Sequence, residues 1–474
     1  MKAPLHHLLF AVLLALPAGV RAQNELSNFT ATGRGGVINS FAQDYQVIGI
    51  NPANLGRPSE SVVSFTVLEG GAGLASRTLS KTLLKHLLYD GSQAIGPAER
   101  AELVKGLEGD NALKVNADVT TLGFALNLPN NLGGLAFSNR QRVGVHLALN
   151  RNAADVIING KYAASVQPYY PTTVIGTQTL PPPLLSNFLD GTVIQLAWTS
   201  EYNVAYGVRV LDKPSFKLSV GAGYRYIQGV GIADLRVEGG KLSAYSALSP
   251  IFDINYGSLA SSPQFNAKTR SGWLDPVGSG HGYDLGLSAE VGKMVQVGAS
   301  VTDMGSMTWT GNVISASDQV LQPTTGNGVQ TYDVIKEIAK QLDSNADNFF
   351  TYAAEQKRVA ALPAKLRLGA GVRLNTLFEF GLDFTAPLNK VAGNLTSSFV
   401  GLGVDYRPVS WVRLSSGLSG GAGYGTSLPL GFTFITPLWE AGVSSRDVTG
   451  YFSEKAPYYS VALGFLRIKF AANK

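Results

Sequence analysis

The sequence contains no cysteine, few charges and, after its first two dozen residues, no long apolar run. Without cysteine it has no disulfide and no thiolate, so neither a stapled secreted scaffold nor thiol chemistry applies. Charged residues make up 15% of the chain, against about 25% in an average soluble domain. Taking Lys2 and Arg21 from the 38 basic residues leaves 36 against 33 acidic ones, a formal charge of +3. That surplus is too small to recognise nucleic acid. Histidine is scarce too: of five, only His86, His146 and His281 lie beyond the first 22 residues. No His-Glu-x-x-His or other metal-ligand spacing occurs, so the chain is expected to bind no metal and no cofactor.

The one long apolar run stands at the start. Lys2 precedes thirteen residues from Leu8 to Val20, and Val20-Arg21-Ala22 places small residues where a signal peptidase reads them. Thirteen is short of the roughly 20 that a spanning helix needs. Residues 1–22 are therefore expected to be a cleaved export signal.

What is abundant is glycine, 54 residues, together with 19 Tyr and 21 Phe. An exported chain that is glycine-rich, aromatic and poor in charge fits a transmembrane β-barrel, whose strands alternate lipid-facing and lumen-facing side chains. Residues 366–374, LRLGAGVRL, show that alternation: Leu366, Leu368, Ala370, Val372 and Leu374 share one face, Arg367 and Arg373 the other. Phe378, Phe380, Leu382 and Phe384 then alternate with Glu379 and Asp383. Arg225 takes the polar side of a third such run. These lumen charges are read as a structural ladder or as contacts for a ligand head group.

The same test places fourteen strands near 61–68, 115–128, 134–150, 192–206, 216–237, 282–291, 294–315, 365–375, 377–385, 397–407, 411–419, 428–436, 438–446 and 458–470. Links after even-numbered strands are short. Links after odd-numbered ones are longer, above all 69–114, 151–191, 238–281 and 316–364. An outer-membrane barrel with an even strand number, tight periplasmic turns and long outer loops has this rhythm. The expectation is an all-β fold, a 14-stranded antiparallel transmembrane β-barrel over 61–470 in the bacterial outer membrane, with a tail at 471–474. Two outer loops read as helical. Leu79, Leu83 and Leu87 form a stripe within 74–109, where Pro97 suits a first helical turn. Val334, Ile338 and Leu342 form another within 331–357. Regions 168–187 and 246–281 read as irregular loop.

Residues 28–56 read NFTATGRGGVINSFAQDYQVIGINPANLG. Fourteen strands enclose a bore too wide for side chains alone, and 23–60 is too apolar for a solvated linker. This segment is expected to fold inward as a plug. Gly33, Gly35 and Gly36 permit tight turns and close approach to the wall, Arg34 can pair with lumen acids, and Asn51-Pro52 sets a capped turn.

The Gly33-Arg34-Gly35-Gly36 run, Asp44-Tyr45 and Asn51-Pro52-Ala53-Asn54-Leu55 resemble the N-terminal hatch of FadL-type outer-membrane proteins for hydrophobic compounds. Segments 280–309 and 362–374 resemble the strand–turn–strand repeats of that superfamily and of an uncharacterised branch related to it; the 74–150 region looks closer to that branch. The resemblance implies a barrel with an N-terminal hatch, some members passing hydrophobic ligands sideways through the wall. It makes Gly33, Arg34, Gly35, Gly36, Asp44, Tyr45, Asn51, Pro52 and Ala53 hatch residues for transport.

Two functions compete. One is binding and passage of a hydrophobic or amphipathic small molecule. The other is a non-transporting scaffold for a surface or secretion complex, its outer loops meeting a protein partner. Either implies contact with outer-membrane lipid and with the barrel-insertion machinery, which the final strand ending at Phe470 would address. Catalysis is not expected. Gly417-Leu418-Ser419-Gly420-Gly421 matches a hydrolase elbow in letters but precedes another strand rather than a helix.

Overall fold

The computed structural model describes residues 28–59, 61–172, 179–334, 337 and 350–471. The expected export signal, the last three residues and most of the expected 331–357 helix lie outside them.

Among the described residues, eighteen strands form one antiparallel sheet that closes on itself. Four of them are short additions at one rim: Lys241–Leu248, Val313–Ala316, Tyr352–Ala354 and Arg358–Ala361. The other fourteen are the staves: β1 (Ser61–Ala75), β2 (Gly109–Asn127), β3 (Gly134–Leu149), β4 (Val193–Lys213), β5 (Phe216–Glu238), β6 (Gly278–Val291), β7 (Val295–Trp309), β8 (Lys365–Arg373), β9 (Phe378–Pro387), β10 (Phe399–Val409), β11 (Val412–Gly421), β12 (Leu430–Ile435), β13 (Trp439–Ser445) and β14 (Tyr458–Ala471). Each pairs with its neighbour in sequence, and β1 closes on β14 from Val63 opposite Phe470 to Ala75 opposite Tyr458. Closure removes both sheet edges, so no stave leaves a row of unpaired backbone groups facing lipid.

The alternation holds. On β8, Arg367, Gly369 and Gly371 are buried while Leu368 and Val372 are exposed; on β9, Glu379 and Asp383 are buried while Phe380 and Leu382 are exposed. The outer wall is apolar around its circumference, with Leu122, Tyr202, Leu285, Leu402, Phe432 and Val461 all exposed. At the short-turn end Trp411, Phe434 and Trp439 cluster, with the Phe434 ring centroid 5.9 Å from Trp411 and 5.8 Å from Trp439; aromatic residues gather at the membrane interfaces of such barrels.

The staves run further toward the long-loop end than alternation indicates. β1 continues through Ala75, and β2 starts at Gly109. The loop stripe is realised in α2 (Lys81–Tyr89), capped by Ser80 and burying Leu83 and Leu84, and in α3 (Pro97–Leu107), with Pro97 in its first turn. These helices do not float above the mouth. Leu79, Leu84, Leu103 and Leu107 join Leu147, Leu149, Ile158, Leu321 and Val329 in one apolar cap. That cap includes a helix that periodicity missed, Arg151–Asn159, begun by an Asn150 side chain accepting the Ala153 N–H at 2.8 Å. Two other readings need correction. Tyr352–Ala354 is strand, so the helix expected over 331–357 does not reach that far, and 241–248 within the expected long link is also strand.

Residues 28–57 lie inside the bore, and nearly all are buried. The plug begins with a short helix, α1 (Phe29–Gly33), whose Asn28 side chain accepts the Thr30 N–H at 2.8 Å. The inner wall is bare where the plug is bulky. The Phe29 ring lies over Gly442 and Gly464, and Phe41 lies over Gly371 and Gly381; a Cβ at any of these four would collide with the ring. Much of the glycine abundance is thus a footprint of the plug.

Candidate functional site

Two layers occupy the lumen: the plug toward the short turns and a cavity toward the long loops. Four joints fasten the plug to the wall. Arg34 Nε donates to Asp405 Oδ1 at 2.7 Å, and its Nη2 reaches Asp405 Oδ2 and, at 3.3 Å, Glu379. Asp383 accepts the backbone N–H groups of Ile38 and Asn39, both at 2.7 Å. Tyr45 OH donates to Glu69 at 2.6 Å and accepts from Arg467 Nε at 2.8 Å. Asn51 caps the turn at Pro52 by accepting the Ala53 N–H at 3.1 Å, and donates to the Leu287 carbonyl at 2.9 Å.

The expected hatch residues all fall in this buried layer. Gly33 touches the backbone of Gly431; Gly35 and Gly36 take φ of 71° and 87°, where a side chain would be strained. Asp44 is buried beside Lys469 and Arg467 and accepts two hydrogen bonds from Gln46. Within the expected lumen ladder, Arg373 reaches Glu379 at 3.0 Å. Asp383 serves as a plug anchor.

Arg225 belongs to a different layer. It pairs with Asp303 at 2.5 Å, with Glu201 at 3.3 Å and with Asp284. Arg142 reaches Glu201 and Asp303, both at 3.2 Å; Lys365 reaches Asp303 at 3.4 Å; Arg140 pairs with Asp118. Four cations face four carboxylates, a neutral ionic floor with Gly49 of the plug against its underside at Arg140 and Arg225. Asp303 is a bulge residue at φ 60° and sits deep in this floor.

Above the floor opens a cavity of about 130 Å³. Its base is polar, from Asp118, Arg142, Glu201, Asp303 and Lys365; its sides are apolar, from Val145, Ala197, Ile227, Ile232, Met307, Trp309, Leu362 and Leu395. His146, between its register partners Lys114 and Gln195, completes the wall. An apolar cavity of about 150 Å³ takes up benzene, so this volume suits one ring or its aliphatic equivalent. None of the expected hatch residues lines it.

Sequence reasoning missed the cavity because parity flips. A bulge at Val230, between β4 partners of Trp198 and Thr199, turns Ile232 inward. A second at Asp303 shifts the β6–β7 register and turns Met307 and Trp309 inward. The other histidines do no work here. His86 pairs with Asp90 at 2.7 Å, and His281 lies on the outer face with Tyr224 OH 2.7 Å from its Nδ1. Ser419 lies two residues before the end of β11 and exchanges backbone hydrogen bonds with Ser427, so it sits in a strand rather than on a nucleophile elbow. No cluster of three metal-ligating side chains occurs among the described residues.

Residues 72–439 match the model of a family of unknown function, DUF5723. The chain belongs to this family. No curated protein matches it. Among solved structures it is similar to the Ralstonia pickettii toluene transporter TbuX, at 14% identity over 96% of this chain and 100% of that one, TM-score 0.43. The P. putida toluene transporter TodX follows at 11%, 95%, 100% and 0.43, and a Pseudomonas aeruginosa FadL homologue at 11%, 95%, 97% and 0.40. The architecture itself stands on the closed strand pairing described above.

Proposed function

We propose that this chain is an outer-membrane barrel, exported with loss of residues 1–22, that binds a small apolar or amphipathic molecule and passes it inward as the plug shifts. The observation that carries the reading is the cavity: an apolar-sided, polar-based chamber of about 130 Å³ above a neutral ionic floor. Its sides favour transfer of apolar surface out of water, at about 25 cal/mol per Å². The balanced floor repels neither charge sign strongly. Passage then needs a rearrangement below, where Arg34, Tyr45, Asn51 and Asp383 fasten the plug.

Filling the chamber tests this. Ala197→Trp in the reconstituted protein is expected to abolish binding of benzyl alcohol measured by calorimetry, while the barrel still folds. Unchanged binding would remove the cavity from the account. A second reading, a docking scaffold for a protein partner, draws on Tyr89, Trp273 and Phe452, which lie 80%, 77% and 84% exposed among the outer loops. It predicts a co-purifying protein that Trp273→Ser and Phe452→Ser release.

A further inference from the structure

A second chamber of about 180 Å³ lies outward of the cavity, walled by residues 75–77 with Asn111, by 423–427 and by 447–458. The two chambers share two lining residues, Lys114 and Tyr424. Lys114 Nζ stands 4.9 Å from the Tyr424 ring centroid, Asn116 Nδ2 donates to Tyr424 OH at 2.6 Å, and the ring stacks on Tyr458 at 5.0 Å. The partition between the chambers is therefore one cation and one aromatic ring.

The outer chamber is charged differently from the inner one. Its cations are Arg77, Lys114 and Lys455; its carboxylate is Asp447. That carboxylate is already engaged by the backbone N–H groups of Leu428, Thr449 and Gly450 and by the Thr449 hydroxyl, at 2.7 to 3.1 Å. Arg77 and Lys455 are exposed and, among the described residues, make no ion pair. Asn111, 5% exposed, has an amide oxygen with no hydrogen-bond partner on this wall.

We propose that the outer chamber is a recognition site for an organic anion and that Tyr424 is the door to the inner cavity. A solute bearing one carboxylate or sulfonate lodges that group between Arg77 and Lys455, with the charge of Lys114, whose ammonium is bonded to Thr396 and to the Ala422 carbonyl, behind it. Its body passes inward when the Tyr424 ring turns away from Tyr458. Charge-assisted hydrogen bonds from the Arg77 guanidinium and the Lys455 ammonium supply the selection. The proposal rests on the cavity reading above, but its failure shows separately.

The test uses the full chain in nanodiscs, with benzoate and benzyl alcohol as probes of the same ring size. Arg77→Gln combined with Lys455→Gln changes two exposed side chains and leaves the fold alone. The double variant is expected to weaken benzoate about tenfold and to leave benzyl alcohol within about twofold. Salt is expected to weaken benzoate alone. Benzoate binding that ignores the double substitution overturns the anion site, whereas benzyl alcohol binding that survives Ala197→Trp overturns only the cavity reading. Tyr424→Ala is expected to speed the arrival of benzoate at Trp309, followed by stopped-flow fluorescence with Trp309→Phe as the blank. An unchanged rate removes the door.

Discussion

Arg467 Nη2 lies 2.5 Å from Glu69 Oε1 across the seam where the last stave meets the first, with both side chains 1% exposed. The plug completes this pair: Tyr45 OH donates to the second Glu69 oxygen, and Arg467 also stacks over Phe29 at 4.5 Å. Closing the barrel and seating the plug are thus one event at this seam. Tyr45→Phe strands a buried donor and a buried acceptor and is expected to cost about 1–3 kcal/mol in urea unfolding of the folded barrel. Arg467→Met leaves the Glu69 carboxylate buried without its cation and is expected to cost about 3–5 kcal/mol. Equal losses from the two substitutions would show that the plug, not the ion pair, carries the seam.

Phe29 rests on Gly442 and Gly464 because neither has a Cβ. Gly442→Ala is expected to cost about 1–3 kcal/mol by overpacking. Adding Phe29→Ala should recover part of that loss, and a double-mutant cycle measures the coupling. Additive effects would mean that the ring does not sit where described.

Arg34 holds Asp405 by two hydrogen bonds and reaches Glu379 as well. Arg34→Lys keeps the charge but loses the planar fork, so it is expected to loosen the plug and raise single-channel openings in planar bilayers. Conductance indistinguishable from the parent chain would show that this joint does not hold the plug.

The alternation that defines fourteen staves was legible in the sequence because lipid and lumen demand opposite side chains at successive positions, as at Leu368 beside Arg367. The plug was legible from a different conflict: Phe29, Val37, Phe41 and Ile50 are too apolar for a linker, and Arg34 has no use in one. The cavity was hidden. Bulges at Val230 and Asp303 reverse the face that Ile232, Met307 and Trp309 present, and nothing in local spacing announces a one-residue shift. The Lys114–Tyr424 partition was hidden for another reason. It joins the start of β2 to the loop after β11, a contact that only ring closure creates.

Glu454, at the tip of the last long loop, accepts the Thr82 backbone N–H at 3.1 Å in the first turn of α2. Hydrogen bonds from the Thr82 backbone and hydroxyl hold its carboxyl below the usual value. A depressed carboxyl contributes to docking above its unfolded value of about 4.3 and loses that contribution as pH falls through the lower folded value. Hydrogen exchange of 81–89 is expected to stay slow at pH 5 and to quicken in more acid solution, with Glu454→Gln already fast at pH 5. Protection that does not depend on pH or on Glu454 would refute this link.

Because the chain has no cysteine, one engineered bridge locks the plug to the wall without competing thiols. Val37 and Gly403 face each other, with the Val37 Cβ 3.1 Å from where a Gly403 Cβ would stand, near the roughly 3.5–4.5 Å that a disulfide spans. The decisive measurement is uptake of benzyl alcohol into proteoliposomes carrying Val37→Cys with Gly403→Cys. Uptake falls to the protein-free level on oxidation and returns with reductant if the plug must move. Full uptake through a quantitatively bridged barrel would contradict the account.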